Sequence, residues 1–145
     1  MSLLTAPALA WEYGETDLVY YAFEMDSTGR FGLAIDCDAD FGEYTLAIES
    51  REPWDETTSY APKVPTTFVI DGTEITDDSF RFVRRGELLT VELYEYDDVE
   101  GFGRLYEALY AATGPIEVRY FDKVMRFASD GLADTFDEVE ANCWF

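Results

Sequence analysis

The sequence contains no histidine, 10 Lys and Arg against 31 Asp and Glu, and two cysteines in 145 residues. Each shortage excludes something. Without imidazole there is no Ser-His-Asp or Cys-His nucleophile system, no histidine-ligated zinc and no histidine general base. A formal charge of −21 at pH 7 argues against nucleic acid and anionic membrane surfaces, because both are bound by clustered Lys and Arg. No segment approaches the apolar length that spans a bilayer, so membrane insertion is not expected. Neither a glycine-rich phosphate loop nor a Gly-x-Ser-x-Gly elbow occurs, and no cofactor is implied.

What is present is the material of a core. Hydrophobic residues make up 48% of the chain and aromatics 17%, too many for a disordered acidic tail. The length suits one domain, over residues 11–145. Residues 1–10 stand apart. Ala8-Leu9-Ala10 has the small-x-small pattern of a signal-peptidase site, and Leu3 to Leu9 look like the end of an apolar h-region. They read as the remnant of a signal peptide or as an appended tail, with an ordinary frayed terminus as the alternative. The expected location is therefore periplasmic or secreted.

Cysteine usage agrees with that location. Cys37 and Cys143 are too few for a structural zinc site and lack Cys-x-x-Cys spacing. In an oxidising compartment a lone pair is most simply one disulfide, the alternative being two buried free thiols.

The first two-thirds alternate as strands. Within Leu18 to Met25, the odd residues Val19, Tyr21, Phe23 and Met25 form an unbroken apolar face. A turn at Asp26-Ser27-Thr28-Gly29 leads to Phe31, Leu33, Ile35 and Cys37 on one face, a hairpin candidate. Tyr44, Leu46 and Ile48 alternate next. Residues 50–65 hold three of the five prolines and read as a loop or irregular edge. Strands resume at Thr67–Ile70 and Thr73–Ile75 around Asp71-Gly72, then at Phe80–Val83 and Leu88–Tyr94.

At Asp97 the period changes. Val99, Phe102, Leu105, Tyr106 and Leu109 recur at helical spacing, with Asp97 or Asp98 as cap and Thr113-Gly114-Pro115 as stop. Ile116 to Tyr120 and Val124 to Phe127 read as strands. A last helix, capped by Ser129 or Asp130, carries Leu132, Phe136, Val139 and Cys143 on one stripe. Both cysteines thus fall on apolar faces, which supports the bridge. The class is α+β: an antiparallel β-sandwich or barrel-like sheet with two helices in the C-terminal third.

Chemistry is harder to find. Asp36, Asp38 and Asp40 have the spacing of calcium ligands, but an EF-hand needs Gly and Glu where Phe41 and Ala47 stand. They form a weak calcium candidate, and a solvated turn accounts for them better. Asp77-Asp78 and Asp97-Asp98 fit turns and caps. Arg81, Arg84 and Arg85 are the one basic concentration, expected to pair with nearby acids such as Glu87. Trp54 and Tyr60, in the proline-bearing segment, are candidate contacts for a protein or small ligand.

Phe127-Ala128-Ser129-Asp130-Gly131-Leu132, with Phe136, Val139 and Cys143-Trp144 after it, resembles the ending of small exported alphaproteobacterial proteins of the invasion-associated locus B type. Cys37-Asp38 is similar to their early Cys-Asp. The resemblance implies a compact β-sandwich or barrel and an envelope location, and it carries no catalytic residues.

The expectation is an exported, non-enzymatic protein acting by binding or as an accessory. One alternative is an acidic inhibitor or scavenger of a cationic protein such as a lysozyme-like enzyme. A second is a carboxylate-dependent hydrolase. The acids fall mostly on turns, caps and outward strand positions, as a solubility adaptation would place them.

Overall fold

A computed structural model describes residues 10–53 and 63–143. Trp54, Tyr60 and the Ala8-Leu9 part of the signal-peptidase pattern lie outside the described residues. Ten strands and two helices follow one another as β1 (Glu12–Thr16), β2 (Val19–Met25), β3 (Phe31–Asp38), β4 (Glu43–Pro53), β5 (Thr66–Ile70), β6 (Thr73–Asp77), β7 (Arg81–Arg85), β8 (Leu88–Tyr94), α1 (Val99–Tyr110), β9 (Ile116–Tyr120), β10 (Lys123–Phe127) and α2 (Leu132–Asn142). A 3₁₀ turn at Glu95–Asp97 leads from β8 into α1. The strands form a six-stranded sheet in the order β1-β2-β3-β4-β8-β7 and a four-stranded sheet in the order β10-β9-β5-β6. Neighbouring strands run antiparallel throughout. The expected α+β class, largely antiparallel sheet with two late helices, is what the chain adopts.

The core faces follow the alternation of the strands. Leu33, Ile35 and Cys37 on β3 and Leu46 and Ile48 on β4 are buried, as are Phe68 on β5 and Val118 on β9. Helix α1 adds Phe102, Leu105 and Leu109, and α2 adds Leu132, Phe136 and Val139. Each such side chain contributes roughly 1.5–3 kcal/mol on burial. Cys37 and Cys143 are disulfide-bonded with Cα atoms 6.2 Å apart, which fastens the end of α2 to β3 across 106 residues of sequence.

Two expectations need correction, and one strand carries no local signal. Strand β1 has none because Glu12-Tyr13-Gly14-Glu15-Thr16 lacks apolar alternation. It pairs with β2 through the short Asp17-Leu18 turn. The apolar face of β2 is reversed. Register places Tyr20, Ala22 and Glu24 opposite Cys37, Ile35 and Leu33, so the even residues look inward. On the outer face, the rings of Tyr21 and Phe23 occupy the space over glycines of the flanking strands. A Cβ at Gly14 would stand 2.4 Å from the Tyr21 ring, and one at Gly32 2.5 Å from the Phe23 ring. Finally, α2 is capped by Gly131 in the left-handed region (φ 78°), with no side-chain cap. Ser129 and Asp130 instead offer their carbonyls, to Leu132 N–H and Trp11 N–H respectively.

Candidate functional site

The helix pair presents a concave surface built from four separate segments. On α1, Phe102, Tyr106 and Tyr110 recur every four residues and so share one side of the helix. Tyr44 on β4 meets the first two, its ring centroid 6.4 Å from Phe102 and 6.1 Å from Tyr106. Behind them Phe136 of α2 stacks on Tyr106 at 5.0 Å. A recess of about 200 Å³ is lined by Tyr44, Glu95, Phe102, Gly103, Tyr106, Glu107 and Glu140. It continues into one of about 340 Å³ lined by Tyr106, Glu107, Tyr110, Asp137 and Glu140.

The ionisable lining is acids and tyrosines. Among the described residues Glu95, Glu107, Asp137 and Glu140 line the two recesses, and no Lys or Arg does. The tyrosine hydroxyls organise the acids: Tyr106 donates to Glu140, and Tyr110 donates to Asp137 at 2.9 Å. Burial, then donation to Glu140, pushes the Tyr106 phenol well above its ordinary range. Burial likewise raises Tyr44, with Glu140 and Glu95 adding to it. Both phenols therefore stay neutral and keep their π-faces available. Aromatic faces rimmed by carboxylates attract organic cations through the ring quadrupole and the net charge together.

The groove depends on where α1 begins. Asp98 caps the helix by accepting from Gly101 N–H at 3.0 Å. Asp77, buried at the end of β6, accepts from Ser79 N–H at 2.7 Å through its other oxygen. The free oxygens of both carboxyls crowd over Gly101, where a Cβ would meet them at 2.1 and 2.2 Å. Two ionised carboxyls are both acceptors, so groups this close are held together best with one proton between them. Burial, then the Asp98 carboxyl, raises Asp77 to about 6, while the neighbouring Asp77 lowers Asp98. The turn and cap roles read from sequence are both present; their convergence is new.

The other sequence candidates are dispersed. Asp36 sits on the outer face of β3 between Tyr21 and Thr45, while Asp38 accepts from Asp40 N–H within the next turn. Among the described residues no group of three His, Cys, Asp or Glu side chains is placed to hold a metal. Asp36 shares an outer trough of about 360 Å³ with Tyr21, Phe23, Ala34 and Glu49. Burial, with repulsion from Glu49 and Glu92, raises it to about 7. On β4, Glu49 stands four residues along from Thr45, the register partner of Asp36.

Arg84 and Arg85 pair with Glu87 and Glu92, and Arg81 with Asp97. Burial alone would raise the Glu92 carboxyl, but the Arg85 fork and the Thr90 hydroxyl hold it below its usual range. No single motif could have pointed to the groove, since Tyr44, Glu95, the α1 stripe and Glu140 belong to four segments. The signal within reach was the i, i+4 aromatic run on α1 beside acids on both helices. The chain matches no protein-family model, no curated protein and no solved structure.

Proposed function

We propose that the chain is an exported, non-enzymatic protein of the envelope or periplasm that binds a basic partner through the groove beside its helices. The observation that carries this reading is an aromatic recess whose charged lining is acidic, from Glu95, Glu107, Asp137 and Glu140. The occupant is a Lys or Arg side chain of a protein, with its charge among the carboxylates and its stem on the rings. The disulfide supports an oxidising location, as do the signal-peptidase pattern and the resemblance to invasion-associated locus B proteins. The acidic field adds steering at long range. Inhibition or scavenging of a lysozyme-like enzyme is the special case in which the basic partner is itself an enzyme.

Calorimetric titration with a basic lysozyme and with an arginine-rich peptide, at low and high salt, tests the reading. Saturable binding that weakens with salt and falls about tenfold in a Glu107→Gln/Glu140→Gln variant is expected. Absent binding, or binding indifferent to that variant, would dismiss the groove.

A further inference from the structure

We propose that the cleft at the seam between the two sheets binds a small organic monoanion, a carboxylate carried on an apolar stem. This cleft, about 430 Å³, is lined by Arg30, Phe31, Arg51, Glu52, Asp122, Lys123 and Val124. Three of the ten cations of the chain thus meet in one concavity. The site is independent of the helix-side groove.

The backbone holds these groups together from both sheets. Arg30 closes the turn before β3, and Arg51 lies on the adjacent β4, its N–H donating to the Arg30 carbonyl at 3.2 Å. The turn is fixed by the buried Asp26, whose carboxylate accepts from Thr28 Oγ1, Arg30 N–H and Phe31 N–H. Asp26 is therefore engaged with the turn itself. Asp122 and Lys123 come from the β9–β10 hairpin of the other sheet. Phe121 in that hairpin has φ 51°, a conformation that costs a bulky residue about 1–3 kcal/mol. Its ring packs 5.9 Å from Phe82 and holds the turn in place.

The charge pattern singles out this cleft by grouping. Arg81, Arg84, Arg85, Arg119 and Arg126 each have a carboxylate partner. Among the described residues Arg30, Arg51, Lys63 and Arg104 are in none of the ion pairs, although acids outnumber bases three to one, and of these four Arg30 and Arg51 line the same concavity. Lys123 is matched by Glu52 at 2.8 Å, and Asp122 offsets a further charge. One positive charge remains, and it is carried by guanidinium forks whose planar geometry fits a carboxylate. A dianion would meet the acidic field of the whole chain with only that single charge in its favour. Phe31 and the exposed Val124 offer the apolar contact for a stem.

The test titrates the full chain with benzoate, inorganic phosphate and sulfate at constant ionic strength, followed by calorimetry and amide chemical shifts. Benzoate is expected to saturate, to shift Phe31, Lys123 and Val124, and to bind more tightly than either dianion. Arg30→Gln/Arg51→Gln should weaken it at least about tenfold, and Arg119→Gln should leave it unchanged. Arg30 and Arg51 are exposed, so the melting temperature should hold in the double variant. Tighter binding of phosphate or sulfate, undiminished affinity in the double variant, or no saturation with benzoate would each overturn the proposal.

Discussion

The groove beside the helices and the cleft at the sheet seam are both concave and both carry aromatic surface, yet their charges are opposite. At the groove, acids line the rings with no cation among the described residues. At the seam, two arginines stand without an ion pair among the described residues. A uniform acidic coat made for solubility would not produce the second arrangement. Net charge describes the field at a distance, whereas which side chains find partners at short range describes a site. The two regions also differ in how they are held. The groove uses both helices and depends on the disulfide through α2, while the seam rests on hairpin turns and sheet hydrogen bonds.

The largest way to separate them is to remove the bridge. Cys37→Ala/Cys143→Ala should destabilise the fold by about 2–5 kcal/mol, since the closed loop is long. The melting temperature should fall by roughly 10 °C. The freed end of α2 carries Asp137 and Glu140, so the groove should lose affinity for a basic peptide while benzoate binding at the seam persists. Equal loss at both, in variants still folded by circular dichroism, would show that the regions are one cooperative unit.

The bridge was also the feature most readable in the sequence. Cys37 follows Phe31, Leu33 and Ile35 at even spacing, and Cys143 follows Leu132, Phe136 and Val139 on a helical stripe, so periodicity alone pointed both inward. The strands from β3 onward and both helices were legible for the same reason. Strand β1 was not, because three of its five residues are charged or glycine and only pairing with β2 makes it a strand. The face of β2 misleads because Tyr21 and Phe23 cover glycines outside the core, a cross-strand relation with no trace in local alternation. Neither binding region was legible: each gathers residues from strands, turns or helices far apart in sequence.

Protonation should give the next largest effect, at the start of α1 beside the groove and on the outer face of β3, and it leaves the seam untouched. Asp36 and Asp77 are raised to about 7 and about 6 in the folded chain, so the native state keeps protons that the unfolded chain releases near pH 4. Stability from these groups is complete below about pH 4 and is lost as pH climbs through 6 and 7. Asp98, which is lowered, acts oppositely at still lower pH. Thermal melts should therefore show greater stability at pH 5 than at pH 8. Asp36→Asn should raise stability at pH 8 by roughly 1–3 kcal/mol and flatten the profile. Asp77→Asn should flatten the lower part and hold the start of α1 in place as pH rises. A profile that climbs from pH 5 to pH 8 would contradict the assignment.

Smaller effects come from the rings. Tyr106→Phe keeps the aromatic face and removes the bond to Glu140, so peptide affinity should stay within about threefold. Tyr106→Ala removes the face itself, and about tenfold should be lost. Neither should alter benzoate binding. If Tyr106→Phe cost as much as Tyr106→Ala, the hydroxyl rather than the ring would be the recognising group.

Salt should produce the smallest change at the seam, and the two regions should not decline together. At the groove, the four lining carboxylates and the distant acids both attract a basic ligand, so raising the ionic strength weakens every contribution. At the seam, the near charges attract an anion while the remote ones repel it. Salt at 0.15 M screens interactions beyond about 8 Å and spares contacts at hydrogen-bond distance. The repulsion is therefore removed before the attraction is. Between low and moderate salt, with an added anion that competes weakly, benzoate affinity should hold steady or rise up to about twofold, while peptide affinity at the groove falls severalfold. A parallel decline at both sites would mean that benzoate is held by the general ion atmosphere, and the charge contrast between the two regions would lose its functional meaning.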